Sequence, residues 1–499
     1  MRPAESVSWR RFAALPLGAA SALAFAPFEY FPVLWLTLGG LYALLGPAAD
    51  GGLVRQGAIT AGLFGLGGFL AGVSWIFVSL STFGGMPAPG AAFATFVFCA
   101  GMALYPALAG ALFARLAPPA GARRALVFAA LWTLAEWLRG WFLTGFPWLA
   151  VGYSQTPPSP LAGFAPIAGV YGVSFLTVLT GAFLAEAAFG GCRRNRLPMA
   201  AVPAVLLLAG VALSGHGWTT PQGETLRVAL LQGNIAQDMK WRPEELEESL
   251  LAYYYLMRDN PARLTVLPEA ALPMFLSDVP AEYLGAMGQL AARQDGDLIF
   301  GVVTGDWSRY ANSAVSLGAS GTQRYDKSHL VPFGEFTPPG FAWFMEMVNI
   351  PMSSFTPGEE KQTPFSAGGQ KIAVNICYED AFGAEIVRAL PEATLLLNLS
   401  NMAWFGDSLA PAQHLQIARM RALETGRMML RATNTGMTAI IGADGAIRAA
   451  LPPFTRAALT GEVTAHAGST PFARWGNTPA VAASLLPLLA FARRRKTPS

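Results

Sequence analysis

Cys377 closes an apolar run, Lys371-Ile372-Ala373-Val374-Asn375-Ile376-Cys377, and Tyr378-Glu379-Asp380 follow it. A strand that ends on cysteine and breaks into a polar turn is a common way to present a thiol as a nucleophile. Two other residues stand where they could serve that thiol. Glu269 follows the apolar stretch Leu264-Thr265-Val266-Leu267, in Leu267-Pro268-Glu269, and Lys327 lies in Tyr325-Asp326-Lys327-Ser328-His329-Leu330. A thiol attacks only once it has lost its proton. A carboxylate can take that proton as general base. An ammonium can stabilise both the thiolate and the oxyanion of a tetrahedral intermediate. Glu, Lys and Cys on three strand ends would suit acyl transfer through a thioester.

Each residue also has a plainer reading. Free cysteine behaves as a small hydrophobe, so Cys377 alone fits a buried structural thiol. Glu269 and Lys327 alone fit solvated loop charges. Against the plainer reading of the lysine stands its rarity: Lys240, Lys327, Lys361, Lys371 and Lys496 are the whole set in an arginine-rich chain. A lysine kept in that background fits a role that a planar guanidinium cannot fill. The remaining cysteines are Cys99, inside an apolar segment, and Cys192, beside Arg193 and Arg194. Neither setting points to chemistry, and the three make no disulfide framework. His216, His329, His414 and His466 lack zinc-like spacing, so each reads as a satisfied structural histidine. No phosphate-binding glycine loop or dinucleotide fingerprint follows a strand, so neither metal nor cofactor is expected.

The elements that must position these residues alternate. Leu226–Leu231 reads as a buried strand and Pro243–Arg258 as a helix, opening on Pro243, Glu244 and Glu245. Strands follow at Leu264–Leu267, Leu298–Thr304, Ile372–Ile376 and Thr394–Leu399, and helices at Ala281–Arg293 and Ala412–Glu424. That alternation predicts a layered α/β domain over about residues 224–466.

The rest of the chain belongs to a different solvent. The 499 residues are 53% hydrophobic and only 13% charged, against about a quarter charged in soluble proteins. Residues 1–218 carry the excess, in runs near the ~20 residues that a bilayer requires. The candidate spans are 12–28, 30–47, 58–80, 90–115, 124–143, 161–189 and 198–215, with an eighth at 476–492 inside a C-terminal segment 476–499. Pro27-Phe28-Glu29-Tyr30 between the first two predicts a tight helical hairpin.

Arginines alternate between loops. Arg2, Arg10 and Arg11 precede the first span, and Arg55 lies between the second and third. Arg115, Arg123 and Arg124 lie between the fourth and fifth, and Arg193, Arg194 and Arg196 between the sixth and seventh. Arg493, Arg494, Arg495 and Lys496 follow the last, while the loops at Phe31 and at Gly84–Gly90 have no basic residue. By the positive-inside rule both termini are cytoplasmic and the α/β domain lies outside. A cleaved signal peptide ending near Ala24-Phe25-Ala26 is the rival reading, but the arginines alternate correctly only if the first span is retained. The net charge of +3 is spread around apolar segments rather than gathered on one face, so nucleic acid is not an expected partner.

Taken together, Leu267-Pro268-Glu269, Tyr325-Asp326-Lys327 running on to Val331-Pro332-Phe333-Gly334-Glu335, and Asn375-Ile376-Cys377-Tyr378-Glu379 resemble the nitrilase (carbon–nitrogen hydrolase) superfamily. The flanking spans resemble its membrane branch, the apolipoprotein N-acyltransferases. So do Gln232-Gly233-Asn234-Ile235 with Trp241, Glu136-Trp137-Leu138-Arg139 leading to Gly145-Phe146-Pro147-Trp148, Asn398-Leu399-Ser400-Asn401 with Trp404-Phe405, and Arg431-Ala432-Thr433-Asn434-Thr435-Gly436. The resemblance spans essentially the whole chain.

It implies an αββα sandwich. Glu269 is implied as general base, Lys327 as oxyanion stabiliser, Cys377 as nucleophile, and Glu335 as a second acid supporting lysine and base. Trp241, Tyr378 and Glu379 fall where the family has required residues near the lipid entrance and the cysteine. The implied partners are a phospholipid acyl donor, a diacylglyceryl-modified apolipoprotein acceptor and the bacterial inner membrane, with the catalytic domain periplasmic. Asp326 departs from the neutral residue expected before the lysine and could shift its pKa.

Two other functions compete. A membrane-bound amidase or nitrile hydrolase could use the same triad with water as acceptor, but a tether requires one span and not eight. A transporter or assembly scaffold with a degenerate domain sits badly with an intact Glu, Lys and Cys.

Overall fold

The computed structural model describes residues 11–190, 196–236, 243–345 and 354–494. Trp241 and Cys192, both singled out above, lie outside the described residues. The chain divides into two compact units: Met1–Ile76 with Pro89–His216 and Trp475–Ser499, and Phe77–Ala88 with Gly217–Arg474. The second unit thus takes in a short segment that the sequence reading assigns to the apolar spans and the loop after them.

The first unit is helical: Ala14–Ser21, Pro32–Asp50, Val54–Gly72, Ala88–Leu116, Ala122–Arg139, Ala165–Phe189, Arg196–Ser214 and Thr478–Arg494. Among the described residues, four helices are long and apolar enough to cross a bilayer: Pro32–Asp50, Ala88–Leu116, Pro160–Phe189 and Arg196–Ser214. A fifth qualifies if Val54–Gly72 is taken with its bent continuation Trp75–Phe83. Ala14–Ala24 and Thr478–Ala490 are apolar but shorter.

The helix Ala122–Arg139 ends earlier than the expected 124–143 span, and it buries polar groups within the unit. Arg139 donates to the carbonyls of Phe146 and Trp148, and Glu136 accepts from Val151 N at 3.0 Å and Ser174 Oγ at 2.7 Å. Intramembrane charges survive when they face the bundle interior and are satisfied there. Helices approach closely where glycines meet: a Cβ on Gly57 would stand 2.4 Å from the Gly110 carbonyl oxygen, and one on Gly110 2.4 Å from that of Gly57.

The second unit holds two sheets. Strands are β1 Thr219–Gln232, β2 Leu264–Val266, β3 Leu272–Phe275, β4 Asp297–Asp306, β5 Arg309–Gly318, β6 Gln323–Asp326, β7 Phe365–Ala367, β8 Gln370–Ile376, β9 Leu395–Ser400, β10 Met429–Thr433, β11 Ala439–Ile441, β12 Ile447–Ala450 and β13 Ala457–Gly468. One sheet runs β13-β1-β2-β4-β5-β6, with β3 beside β4, and the other runs β12-β11-β10-β9-β8-β7.

Alternation along the strands explains the layers. Leu226, Val228 and Leu230 of the first sheet meet Ile372, Val374, Ile376, Leu397 and Leu399 of the second in one buried cluster between the sheets. The opposite face of the first sheet buries Ala229, Leu231 and Phe300 against Leu250, Tyr253 and Met287 from the helices Pro243–Asp259 and Ala281–Ala292. The opposite face of the second buries Ala373, Leu396 and Met429 against Leu415, Ala418 and Ala422 of Ala410–Thr425. Helices on the outside of both sheets give the expected sandwich. In each sheet the central pairs, β1-β2-β4 and β8-β9-β10, are parallel, so their carboxyl ends gather at one edge.

Candidate active site

Parallel strands stop together, and residues just beyond their ends face a common crevice. Glu269 lies three residues past β2, Lys327 one past β6, and Cys377 one past β8.

Cys377 opens a tight 3-10 turn, Cys377–Ala381, and takes φ +54°, a left-handed value unusual for any residue but glycine. Such strain persists only where the surroundings over-determine it. Here two side chains converge on its carbonyl: Asn398 Nδ2 donates at 3.0 Å and His414 Nε2 at 3.2 Å. The same His414 nitrogen is 2.7 Å from Asp380 Oδ1. Both partners are acceptors, so Nε2 carries the proton. Arg431 Nη1 donates to Asp380 Oδ2 at 3.2 Å and to Asn398 Oδ1 at 2.8 Å. Burial, helped by Arg431, depresses the pKa of His414 and keeps the ring neutral. The expectation of a satisfied structural histidine holds at this position.

Lys327 is fully buried. Its Nζ contacts Glu335 at 2.9 Å (Oε1) and 2.8 Å (Oε2), and Glu269 Oε1 at 3.7 Å. Burial works to lower its pKa, but Glu335 and Glu269 outweigh it and hold the ammonium above the ordinary lysine value. Burial pushes the Cys377 thiol up to about 12, with Glu269 adding to the rise and Lys327 opposing it. The resting sulfur is therefore a neutral thiol within electrostatic reach of the Glu269 carboxylate and the Lys327 ammonium. Asp326 does not reach toward this set: its carboxylate accepts from Arg324 Nε at 2.6 Å and from Ser313 Oγ at 2.6 Å.

Glu269 is anchored at both oxygens. Oε1 accepts from Asn312 Nδ2 at 2.8 Å and Oε2 from the Asn401 backbone amide at 2.8 Å. Asn312 Nδ2 also donates to Glu335 Oε1 at 2.8 Å, so one amide spaces the two carboxylates. Sequence reasoning missed Asn312. Its signal was a lone amide beside Ser313 between apolar residues, in Ala311-Asn312-Ser313-Ala314-Val315, on a strand that was itself not foreseen.

Glu379 is buried and works as a clasp. Oε1 accepts from Ser328 N at 2.7 Å and His329 N at 3.1 Å, and Oε2 from Ile376 N at 2.6 Å. Tyr325 Oη donates to it as well, at 2.9 Å. The turn after Lys327 is thereby tied to the strand end that carries Cys377. Burial raises the Glu379 pKa. Tyr378 packs edge-on to Phe382 with ring centres 5.0 Å apart, and Phe382 stacks on His329 at 3.7 Å. Glu269, Lys327, Glu335, Cys377, Tyr378 and Glu379 are thus brought together. Among the described residues no cluster of His, Cys, Asp or Glu could hold a metal ion.

Two family models match the chain: the apolipoprotein N-acyltransferase N-terminal domain over residues 17–183 and carbon-nitrogen hydrolase over 227–472. An apolipoprotein N-acyltransferase of Nitrosomonas europaea is 46% identical, covering 98% of this chain and 99% of its own. That of Chromobacterium violaceum is 46% identical over 97% of this chain and 94% of its own, and that of Ralstonia nicotianae 45% over 96% and 92%. A solved CN-hydrolase superfamily protein of Xanthomonas campestris covers 54% of this chain and 97% of its own, at 18% identity and a TM-score of 0.38. With relatives this similar along nearly its full length, the chain belongs to the apolipoprotein N-acyltransferase family.

Proposed function

We propose that this enzyme moves a fatty acyl chain from a membrane phospholipid, through a thioester on Cys377, to the N-terminal amine of a diacylglyceryl-cysteine in an apolipoprotein. One observation carries the reading: a neutral thiol, an ammonium paired to Glu335 and a second carboxylate anchored at both oxygens act electrostatically on one another.

Glu269 takes the proton of Cys377 as the sulfur attacks the ester carbonyl of the donor, forming a carbon–sulfur bond. Lys327 stabilises the oxyanion. The carbon–oxygen bond then breaks, and the glyceryl oxygen leaves with the proton from Glu269 as a lysophospholipid. In the second half the acceptor amine attacks the thioester and loses a proton to Glu269. The carbon–sulfur bond breaks, the sulfur recovers that proton, and the amide is released. Glu335 keeps Lys327 charged, and Glu379 and Tyr378 support the turn that carries the thiol; the substrate-binding role of Trp241 comes from the family resemblance alone. Neither half requires a cofactor.

The domain limits 1–218, 224–466 and 476–499, the eight spans, the inner-membrane location, the periplasmic site and the cytoplasmic termini belong to the same reading. The apolar helices and the alternating arginines support them.

The test is incubation with phospholipid alone, followed by mass spectrometry. One lysophospholipid per active site and an acyl adduct on the Cys377 peptide are expected, discharged by a diacylglyceryl-cysteine peptide to an N-acyl product. Continuous lysophospholipid and free fatty acid without any amine would instead mean hydrolysis.

A further inference from the structure

Ser400 ends β9, directly beside the nucleophile. The register of the parallel pair runs Asn375↔Asn398 and Ile376↔Leu399, which sets the next residues, Cys377 and Ser400, side by side. On its other flank Ser400 pairs with Thr433. The residue after it, Asn401, gives its amide to Glu269 at 2.8 Å. Ser400 therefore sits between nucleophile and base, on rigid strand backbone.

Its side chain is fully buried, yet its hydroxyl has no nitrogen or oxygen hydrogen-bond partner among the described residues. Buried hydroxyls are nearly always paired, because one left unpaired forfeits the hydrogen bonds it made to water. An alanine would fill the same place without that cost. The Cys377 sulfur is within its reach, and a hydrogen bond from Ser400 acts on that thiol in the direction opposite to burial, favouring the anion. What the hydroxyl lacks in the resting site is an anion to bond to, and the reaction creates one on the adjacent sulfur.

We propose that Ser400 is a further catalytic residue, whose hydroxyl donates a hydrogen bond to the Cys377 sulfur whenever that sulfur is anionic: after Glu269 takes its proton, and again as it leaves the acyl carbon. Lys327 would then be free to serve the carbonyl oxygen, while Ser400 serves the sulfur. The proposal rests on the acyl-transfer reading above. No bond is made or broken by Ser400 and its proton stays on oxygen.

The test uses the full-length protein in detergent with Ser400→Ala and Ser400→Thr. The rate of Cys377 alkylation by iodoacetamide is followed against pH by mass spectrometry of the Cys377 peptide. The Ala variant is expected to react about tenfold more slowly at a given pH, its profile displaced upward by about one unit. The Thr variant, which keeps the hydroxyl, should stay within about twofold of the parent. In turnover the Ala variant should lose kcat with KM for phospholipid unchanged. Its melting temperature should not fall, since the hydroxyl has no nitrogen or oxygen partner to lose. An Ala profile that superimposes on the parent overturns the proposal. So does a loss of activity that comes with a lower melting temperature, which would make the hydroxyl structural. Failure of phospholipid to acylate the parent protein would sink the acyl-transfer reading instead. The alkylation result reads the sulfur directly and does not depend on that step.

Discussion

Glu335 grips the Lys327 ammonium with both carboxylate oxygens, at 2.9 and 2.8 Å. Glu269, at 3.7 Å, is left as the looser partner of the cation. The tight pairing to Glu335 thus leaves the Glu269 carboxylate in weaker contact with the ammonium and held by Asn312 and the Asn401 amide.

Glu335→Gln should therefore shift Lys327 toward Glu269 and occupy that carboxylate while leaving the shape of the site intact. Thioester formation is expected to slow by about a hundredfold, within the range of a lost general base. Rapid-quench measurement of acyl-Cys377 checks it, and a rate within a few-fold of the parent would remove Glu335 from the chemistry.

Lys327→Arg keeps the charge but not the fit. The lysine is 1% exposed, and its contacts suit a compact ammonium rather than a planar fork. A loss of kcat of about a hundredfold or more is expected, given what a single oxyanion donor contributes. Near-parental turnover would mean that positive charge alone suffices.

The Cys377 thiol, raised to about 12 by burial, makes the fold sensitive to alkali. Between its ordinary value near 9 and the raised one, the unfolded chain loses the proton and the folded chain keeps it. The folded state then binds more protons, so stability falls as pH rises. Below about pH 9 the thiol is protonated in both states and contributes no slope. Cys377→Ala lacks this liability. Its stability relative to the parent should grow above about pH 9 by up to about 1.4 kcal/mol per pH unit. Parallel melting curves across that range would contradict the raised value.

Asp380→Ala removes the carboxylate shared by Arg431 and His414 and leaves a buried guanidinium with only Asn398 as its named side-chain partner. Breaking a buried ion pair costs about 3–5 kcal/mol. The Asn398 and His414 bonds to the Cys377 carbonyl should loosen as well. Chemical denaturation reads the first effect and acylation rate the second. A change under about 1 kcal/mol would show the pair to be dispensable.

The alternating arginines predict opposite sides for two positions. A reporter fused after Gly217 should be active in the periplasm, and one fused after Lys496 in the cytoplasm. A cytoplasmic Gly217 fusion would overturn the orientation and the external site with it.

Much of the layout was legible in the sequence because it follows from periodicity and solvent preference, which are local. The buried run Leu226–Leu231, the strand ending at Cys377 and the helix Ala410–Thr425 all declared themselves that way. Other strands did not. Gln323–Asp326 is polar, Ile447–Ala450 is apolar at three of its four positions without alternating, and both are too short and too exposed to stand out as buried strands. The long Arg309–Gly318 strand was hidden by the polar residues Asn312, Ser313 and Ser316 that serve buried hydrogen bonds.

Glu269 and Cys377 could be singled out because each follows a legible strand, and Lys327 because lysine is rare in this chain and stands in a marked motif. Their mutual arrangement was not. Which carboxylate holds Lys327 more tightly, that Asn312 separates Glu269 from Glu335, and that His414 and Asn398 hold the Cys377 carbonyl all depend on contacts between residues far apart in the chain. Composition and spacing carry information along the chain, whereas proton affinity and nucleophile geometry arise from burial and distances across it, which only the tertiary structure decided.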